Sequence, residues 1–265
     1  MERVFFSIGP ITIYWYSIMI LLALVIGYSI IIRYCKKEGM DSSIISDMLC
    51  YLVVFSILGA RVYYVLFNFS LFKDDLIGIF KIWNGGIAIY GAIIAGVIYI
   101  YYYCKKNNIN FIKMLDIFSL SLLLGQGIGR WGNFFNSEAY GGITTYTALK
   151  DLYIPEFIIK GMYIDGAYRQ PTFLFESIWC LVGVLILWII RNKYFNVNGK
   201  QVCFYLTWYG LGRFFIEGLR SDSLYMGSFR ISQIVSIIMI LIGIGSNIYI
   251  MYKDRCKGGK LNDGV

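Results

Sequence analysis

No histidine occurs anywhere in the chain. Ser/His/Asp and Cys/His nucleophile arrangements are thereby excluded, and a reaction run here takes its nucleophile from a substrate. Charge is scarce too, at 15% of residues against the roughly 25% usual for a soluble domain. The 6 cysteines, at 35, 50, 104, 180, 203 and 256, show no CxxC spacing and none falls in a loop assigned below to the outer side. Neither a disulfide framework nor a zinc site is supported, and no metal is expected. The stretch GQGIGR at 125–130 lacks the preceding strand that a dinucleotide fingerprint or phosphate loop needs. The first apolar run is too long for a signal-peptide core and has no basic stretch ahead of it, so no cleavable leader is expected. No low-complexity segment, internal repeat or separate soluble domain stands out.

What is abundant sets the class. Hydrophobic residues make up 58% of the 265 and aromatic residues 18%, the composition of an integral membrane protein. Seven apolar runs, 11–32, 44–67, 85–103, 111–131, 172–190, 202–216 and 231–251, predict an all-α fold of about seven transmembrane helices forming one polytopic domain over 1–265. A hydrocarbon core takes about 20 helical residues to cross. The sixth run reaches that length only if Arg213 and Glu217 lie inside the helix, in a polar cavity or at headgroup depth.

Basic residues alternate between loops. Arg33, Lys36 and Lys37 follow the first run, Lys105, Lys106 and Lys113 the third, Arg191, Lys193 and Lys200 the fifth, and Lys253, Arg255, Lys257 and Lys260 occupy the tail. These thirteen of the 24 Lys and Arg fall on one side, which the positive-inside rule makes cytoplasmic, with the N-terminus out and the C-terminus in. The net charge of +8 is then topogenic and suits an anionic inner leaflet; nucleic acid is not an expected partner.

The one long connection, 132–171, joins the fourth and fifth spans on the outer side. Its five tyrosines (140, 146, 153, 163, 168) and its turn formers at 141, 142, 161, 166 and 171 predict a small ordered extracytoplasmic cap at the bilayer interface.

Polar chemistry crowds at the outer ends of the spans. Arg130, Asn133, Asn136 and Glu138 close the fourth; Tyr209, Arg213, Glu217 and Arg220, spaced four, four and three, share one face of a helix. Ionisable groups at that depth cost several kcal/mol unless paired or solvated, and so mark function. Two guanidiniums suit a phosphodiester, because the planar fork matches phosphate oxygens and stays charged. The bland alternative is a structural pairing of Arg213 with Glu217 and of Arg130 with Glu138. Arg61, near the end of the second span, either snorkels outward or lines the site. Gly125 and Gly129, and Gly91 with Ala95 or Gly85 with Gly86, suit close helix contact. Asp116, near the cytoplasmic end of its span, reads as a helix-end group.

The segment GRWGNFFNSEAYG, 129–141, resembles the signature of the prolipoprotein diacylglyceryl transferase family, a bacterial inner-membrane enzyme family. WYSIMI at 15, GARVYYVLF at 59, WNGGIAIYGA at 83, RQPTFLFES at 169 and YGLGRFFIEGLRSDSLYMGSFRISQ at 209 look like further motifs of that family in the same order. The resemblance implies transfer of an sn-1,2-diacylglyceryl group from phosphatidylglycerol to the lipobox cysteine thiol of a preprolipoprotein signal peptide. A thioether forms and glycerol 1-phosphate leaves, in the bacterial cytoplasmic membrane, with the site on its outer side and no cofactor. Position by position, Arg130, Asn133, Glu138, Gly141, Tyr209, Arg213 and Glu217 match the family's essential or headgroup-contacting residues, and Tyr16 and Gly91 match further functional positions. Arg130 and Arg213 are assigned to the phosphate, and Asn133 and Glu138 to the glycerol hydroxyls. Where family members often carry a histidine before the glycine matching Gly91, this chain has Tyr90. Tyr90 as a positioning group, Glu217, Glu138 or the local positive field as the means of deprotonating the thiol are left open at this stage.

Two other classes are weighed against this. An anion transporter would carry polar residues through the full depth of several spans. A phosphatidyl transferase acting on nucleotide-activated lipids would want clustered metal-binding aspartates at a cytoplasmic face. Neither pattern is in the sequence.

Overall fold

The computed structural model describes residues 3–9, 11–73, 75–194, 197–223, 225–227 and 229–262. Side chains at 11, 84, 190–194 and 255–262 also lie outside the description, among them Cys256 and Arg191, Lys193, Arg255, Lys257 and Lys260 of the charge count. The fold is mostly helical. Seven long helices occur among the described residues: α1 (Trp15–Lys37), α2 (Ser42–Phe67), α3 (Ile89–Lys106), α4 (Phe111–Asn136), and, beyond two short helices α5 (Tyr146–Asp151) and α6 (Glu156–Gly161), α7 (Thr172–Tyr194), α8 (Lys200–Leu219) and α9 (Ile231–Asn262). Five of them, α1, α2, α4, α7 and α9, are long and apolar enough to cross a membrane. In α3 a tyrosine triplet and two terminal lysines dilute the apolar character, and α8 carries Arg213 and Glu217 within its length, as its short apolar run requires.

The first apolar run differs from expectation at its start. Ile11–Tyr14 is a strand (β2) paired antiparallel with Val4–Ile8 (β1), and the helix begins only at Trp15. Its sequence, ITIY, is three β-branched residues followed by an aromatic one, the composition that favours a pleated surface.

The chain forms two compact units, Ile32–Met114 and Met1–Ile31 with Leu115–Val265. In the first, α2 and α3 pack along a seam of small residues. A Cβ on Gly91 would strike the carbonyl oxygen of Gly59 and the Cβ of Tyr63, and one on Gly59 would strike Ala95, so only glycine permits this approach. Gly85 and Gly86, in contrast, lie outside any helix, in a turn with φ of 83° and 76°. Between α2 and α3 come three short 3-10 turns, Phe69–Phe72, Leu76–Phe80 and Ile82–Asn84.

In the second unit, α7 is fastened to α4 and to α8. The Ser177 hydroxyl donates to the Gly127 carbonyl (2.9 Å) and accepts from the Trp131 indole (3.2 Å), while Gly127 lets the Cys180 Cβ approach. Trp179 and Trp208 stack and exchange indole-to-carbonyl bonds between α7 and α8. Asp116 of α4 accepts from the backbone N–H groups of Gly199 (2.6 Å) and Val202 (2.8 Å), so it closes the start of α8 rather than an end of its own helix. Gly210 and Gly243 bring α8 and α9 into backbone contact.

The segment 137–171 is ordered. A three-stranded antiparallel sheet, Ile143–Thr144 (β3), Ala167–Arg169 (β5) and Tyr163–Ile164 (β4) in spatial order β3-β5-β4, lies with α5 and α6 over a core of Phe134, Leu149, Ile158, Ile159, Met162 and Phe173. Phe134 and Phe173 come from α4 and α7, so this segment shares its core with the helices that carry it.

Candidate functional site

Two helices of one unit bring their guanidiniums to one carboxylate on a third. Glu176, on the first turns of α7 and only 2% exposed, places Oε1 2.6 Å from Arg130 Nη2 and Oε2 3.0 Å from Arg213 Nη1. The Tyr209 hydroxyl donates to Oε1 at 3.3 Å. Arg213 turns its other nitrogen, Nη2, to Oε2 of the buried Glu217 one turn on (2.7 Å), and Arg220 Nη1 stands 3.8 Å from the same oxygen. The i, i+4 spacing read from the sequence therefore does align Tyr209, Arg213 and Glu217 on a single face.

Arg130 has different company from that expected by the structural pairing. Its Nη1 donates to Asn133 Oδ1 at 3.3 Å, and its ion pair is with Glu176, not Glu138. Glu138, exposed, accepts instead from the side-chain amides of Asn133 (2.7 Å) and Asn136 (3.5 Å). Asn133 thus links Arg130 to Glu138. Glu176 is not among the residues expected from the sequence, although a carboxylate within the apolar run FLFESIWCLV carries the same signal that singles out Arg213.

The turn leaving α4 is strained. Ser137 and Ala139 have φ of 53° and 58°, a region costly for residues with a Cβ and held only where surroundings over-determine it, at roughly 1–3 kcal/mol each. Here the fixings are visible. Glu138 N–H donates to the Asn133 carbonyl (3.0 Å), Ala139 N–H to Asp222 Oδ2 (3.2 Å), and Thr172 Oγ1 to the Ala139 carbonyl (2.5 Å). Asp222 is gripped through both oxygens by Arg220, at 2.9 and 3.0 Å. Partial burial pushes its carboxyl up, but the Arg220 bonds outweigh this and hold it below the usual carboxylate range.

Gly141 sits where the segment 137–171 and α8 meet. Its N–H donates to the Gln170 carbonyl (2.9 Å), the next N–H, of Gly142, to the Leu219 carbonyl (3.1 Å), and a Cβ would lie 2.8 Å from that of Gln170. The end of α8 is closed by Arg230, the residue just before α9, which donates to the Glu217 carbonyl. Tyr16 of α1 lays its ring against Gly132, with no room for a Cβ between them. An apolar hollow of about 300 Å³ lies alongside, lined by Met19, Leu22, Ile128, Trp131, Phe135 and Leu181 among others.

Tyr90, Gly91 and Arg61 belong to the other unit. Tyr90 is exposed in the first turn of α3, and Gly91 is buried in the α2–α3 seam. Arg61, 7% exposed, is turned into its own unit: Nε donates to the Ile79 carbonyl (2.8 Å), Nη1 to those of Gly85 and Gly86 (2.7 Å each), and Nη2 to that of Gly78 (2.7 Å). Its guanidinium gathers the turn that leads into α3, whose start is also tied by Ala88 N–H to the Ala60 carbonyl.

A half-buried pair of forks on a shared, buried carboxylate, with an amide and an exposed glutamate beside it, is a geometry for gripping a phosphate and hydroxyls. Comparison with known proteins agrees in kind. The family model described as prolipoprotein diacylglyceryl transferase matches residues 3–249. A phosphatidylglycerol–prolipoprotein diacylglyceryl transferase of Halalkalibacterium halodurans is 46% identical over 260 residues, 97% of this chain and 88% of the relative. Proteins of the same name from Listeria innocua (46% over 249 residues; 94% and 90% of the two chains) and Staphylococcus xylosus (45% over 244; 92% and 87%) are similar to the same extent. The chain belongs to the prolipoprotein diacylglyceryl transferase family.

Proposed function

We propose that the protein transfers the diacylglyceryl group of phosphatidylglycerol to the lipobox cysteine thiol of preprolipoproteins in the bacterial cytoplasmic membrane. The observation that carries the reading is the convergence of Arg130 and Arg213 on Glu176. The thiolate attacks the diacylglycerol carbon that bears the phosphate ester, a C–S bond forms as that C–O bond breaks, and glycerol 1-phosphate leaves with the bonding pair. Charge on the phosphate grows as the bond breaks, and fixed guanidinium donors stabilise that growth without reorganising. Arg130 and Arg213 hold the phosphate; Asn133 and Glu138, already bonded to each other, take the glycerol hydroxyls.

Glu217 is assigned an orienting role. It is buried and paired with Arg213 and Arg220, and a carboxylate so held fixes the angle of a guanidinium. Gly141 fixes the junction of cap and α8, Tyr209 supports Glu176, and Tyr16 packs against the site helix at Gly132. Arg61 and Gly91 shape the entry to α3, where Tyr90 serves as a positioning group.

The seven long helices are read as seven spans with the N-terminus outside, the site at the outer membrane surface, and 132–171 as a cap over it within one membrane domain. The deciding experiment incubates purified protein with phosphatidylglycerol and a lipobox peptide. Mass analysis should find a diacylglyceryl adduct that vanishes when the peptide cysteine is serine; a cysteine peptide left unmodified by well-folded protein would refute the assignment.

A further inference from the structure

Two guanidiniums side by side in a largely desolvated place repel, and the pair stays together only if an anion lies between them. In the loaded enzyme the phosphate supplies one. Without substrate the anion is Glu176, and the manner in which it serves is specific: one oxygen to Arg130 of α4, the other to Arg213 of α8, from a helix packed against both. Each arginine has a second anchor on its own helix, Asn133 for Arg130 and Glu217 for Arg213, which sets its rotation. Neither of those anchors reaches across to the other arginine. The spacing between the two forks is therefore fixed by the one carboxylate that touches both.

We propose that Glu176 is a positioning residue that sets the distance between the phosphate-binding guanidiniums, and that it governs the rate of transfer rather than the affinity for lipid. This rests on the transfer reaction assigned above. A guanidinium carries five N–H donors, so each arginine can keep one on Glu176 and one on its own-helix anchor and still have donors left for a phosphate. The carboxylate is then a strut that remains in place through the reaction, and the Tyr209 hydroxyl, bonded to the same oxygen as Arg130, steadies it. Displacing catalytic groups by about 1 Å costs up to about 10²-fold in rate even when binding survives.

The test is a pair of variants. Glu176→Gln keeps the length and loses the charge; Glu176→Asp keeps the charge and is one methylene too short to span both arginines. Rates of adduct formation would be measured against phosphatidylglycerol concentration at saturating lipobox peptide, with thermal unfolding in detergent alongside. A strut predicts that kcat falls by about 10²-fold in both variants, with KM for phosphatidylglycerol little changed. A purely charge-balancing glutamate would be rescued by aspartate, so Glu176→Asp with wild-type kcat overturns the proposal. So does a loss confined to melting temperature or yield, and so does a KM effect with kcat preserved. If Glu176→Gln does not accumulate, Glu176→Asp alone decides between the same outcomes. The wild type, run in parallel, tests the underlying reaction: no transfer at all overturns both readings, whereas an active wild type with unaltered variants overturns only the strut.

Discussion

Trp179 and Trp208 stack with ring centroids 4.3 Å apart, and each donates its indole N–H to the other's backbone carbonyl, at 2.8 and 3.0 Å. The pair joins α7 to α8 within two turns of the Glu176–Arg213 contact, and Gly183 and Gly212 leave room for the rings. The site is in effect hung from this clamp.

Trp208→Phe retains the apolar ring but removes one indole donor, and leaves the Trp179 carbonyl without it. Losing such a bond in a desolvated place costs about 1–3 kcal/mol. A lower melting temperature in detergent, together with reduced transfer by the folded fraction, is expected. Unchanged melting would show that the stacked area alone joins the helices.

The two site arginines are expected to resist conservative replacement. Lysine at 130 or 213 still gives Glu176 a counter-charge, so folding should survive, but a point-like ammonium cannot serve the carboxylate and a phosphate at once as a planar fork can. Arg130→Lys and Arg213→Lys should each lose roughly 10²- to 10³-fold in turnover, the usual loss for a transition-state donor. Near-normal turnover in either would reduce that arginine to a structural counter-ion.

How much of this was legible in the sequence follows from the range of each interaction. Tyr209, Arg213 and Glu217 could be placed together because helical spacing fixes them, and α8 could be lengthened to include them for the same reason. The partner of Arg130 was not legible, because Glu176 lies 46 positions away on another helix; only its misfit in an apolar run was visible. Gly85 and Gly86 were read as helix-contact glycines and are turn residues whose carbonyls take up Arg61, an interaction no local pattern announces. In 137–171 the tyrosines pointed to a folded segment. Its strands of two or three residues are too short to carry an alternation, so its sheet did not show.

Topology offers an independent check. Single cysteines placed in residues 137–171 of a background without the native cysteines should react with an impermeant thiol reagent in intact cells, and cysteines near Lys36 or Lys105 only after lysis. The reverse pattern would invert the orientation proposed from the basic residues.

Proton transfer is the last expectation. No histidine is available, and Tyr90 occupies the position at which the family resemblance would have supplied one. A phenol, with an ordinary pKa of about 10, is a poor base at neutral pH, so Tyr90→Phe should keep a substantial share of activity. Glu217→Gln should lose most of it, because Arg213 would lose the carboxylate that sets its angle while Arg220 would lose its i, i+3 partner. With the thiol deprotonating at about 8.5, the wild-type rate should also rise as pH approaches that value, unless neighbouring guanidiniums favour the thiolate earlier. Measuring kcat from pH 6 to 9 for the three proteins separates the roles. Were Tyr90→Phe as inactive as Arg130→Lys while Glu217→Gln turned over normally, both at wild-type protein levels, the phenol would be the base and Glu217 a bystander.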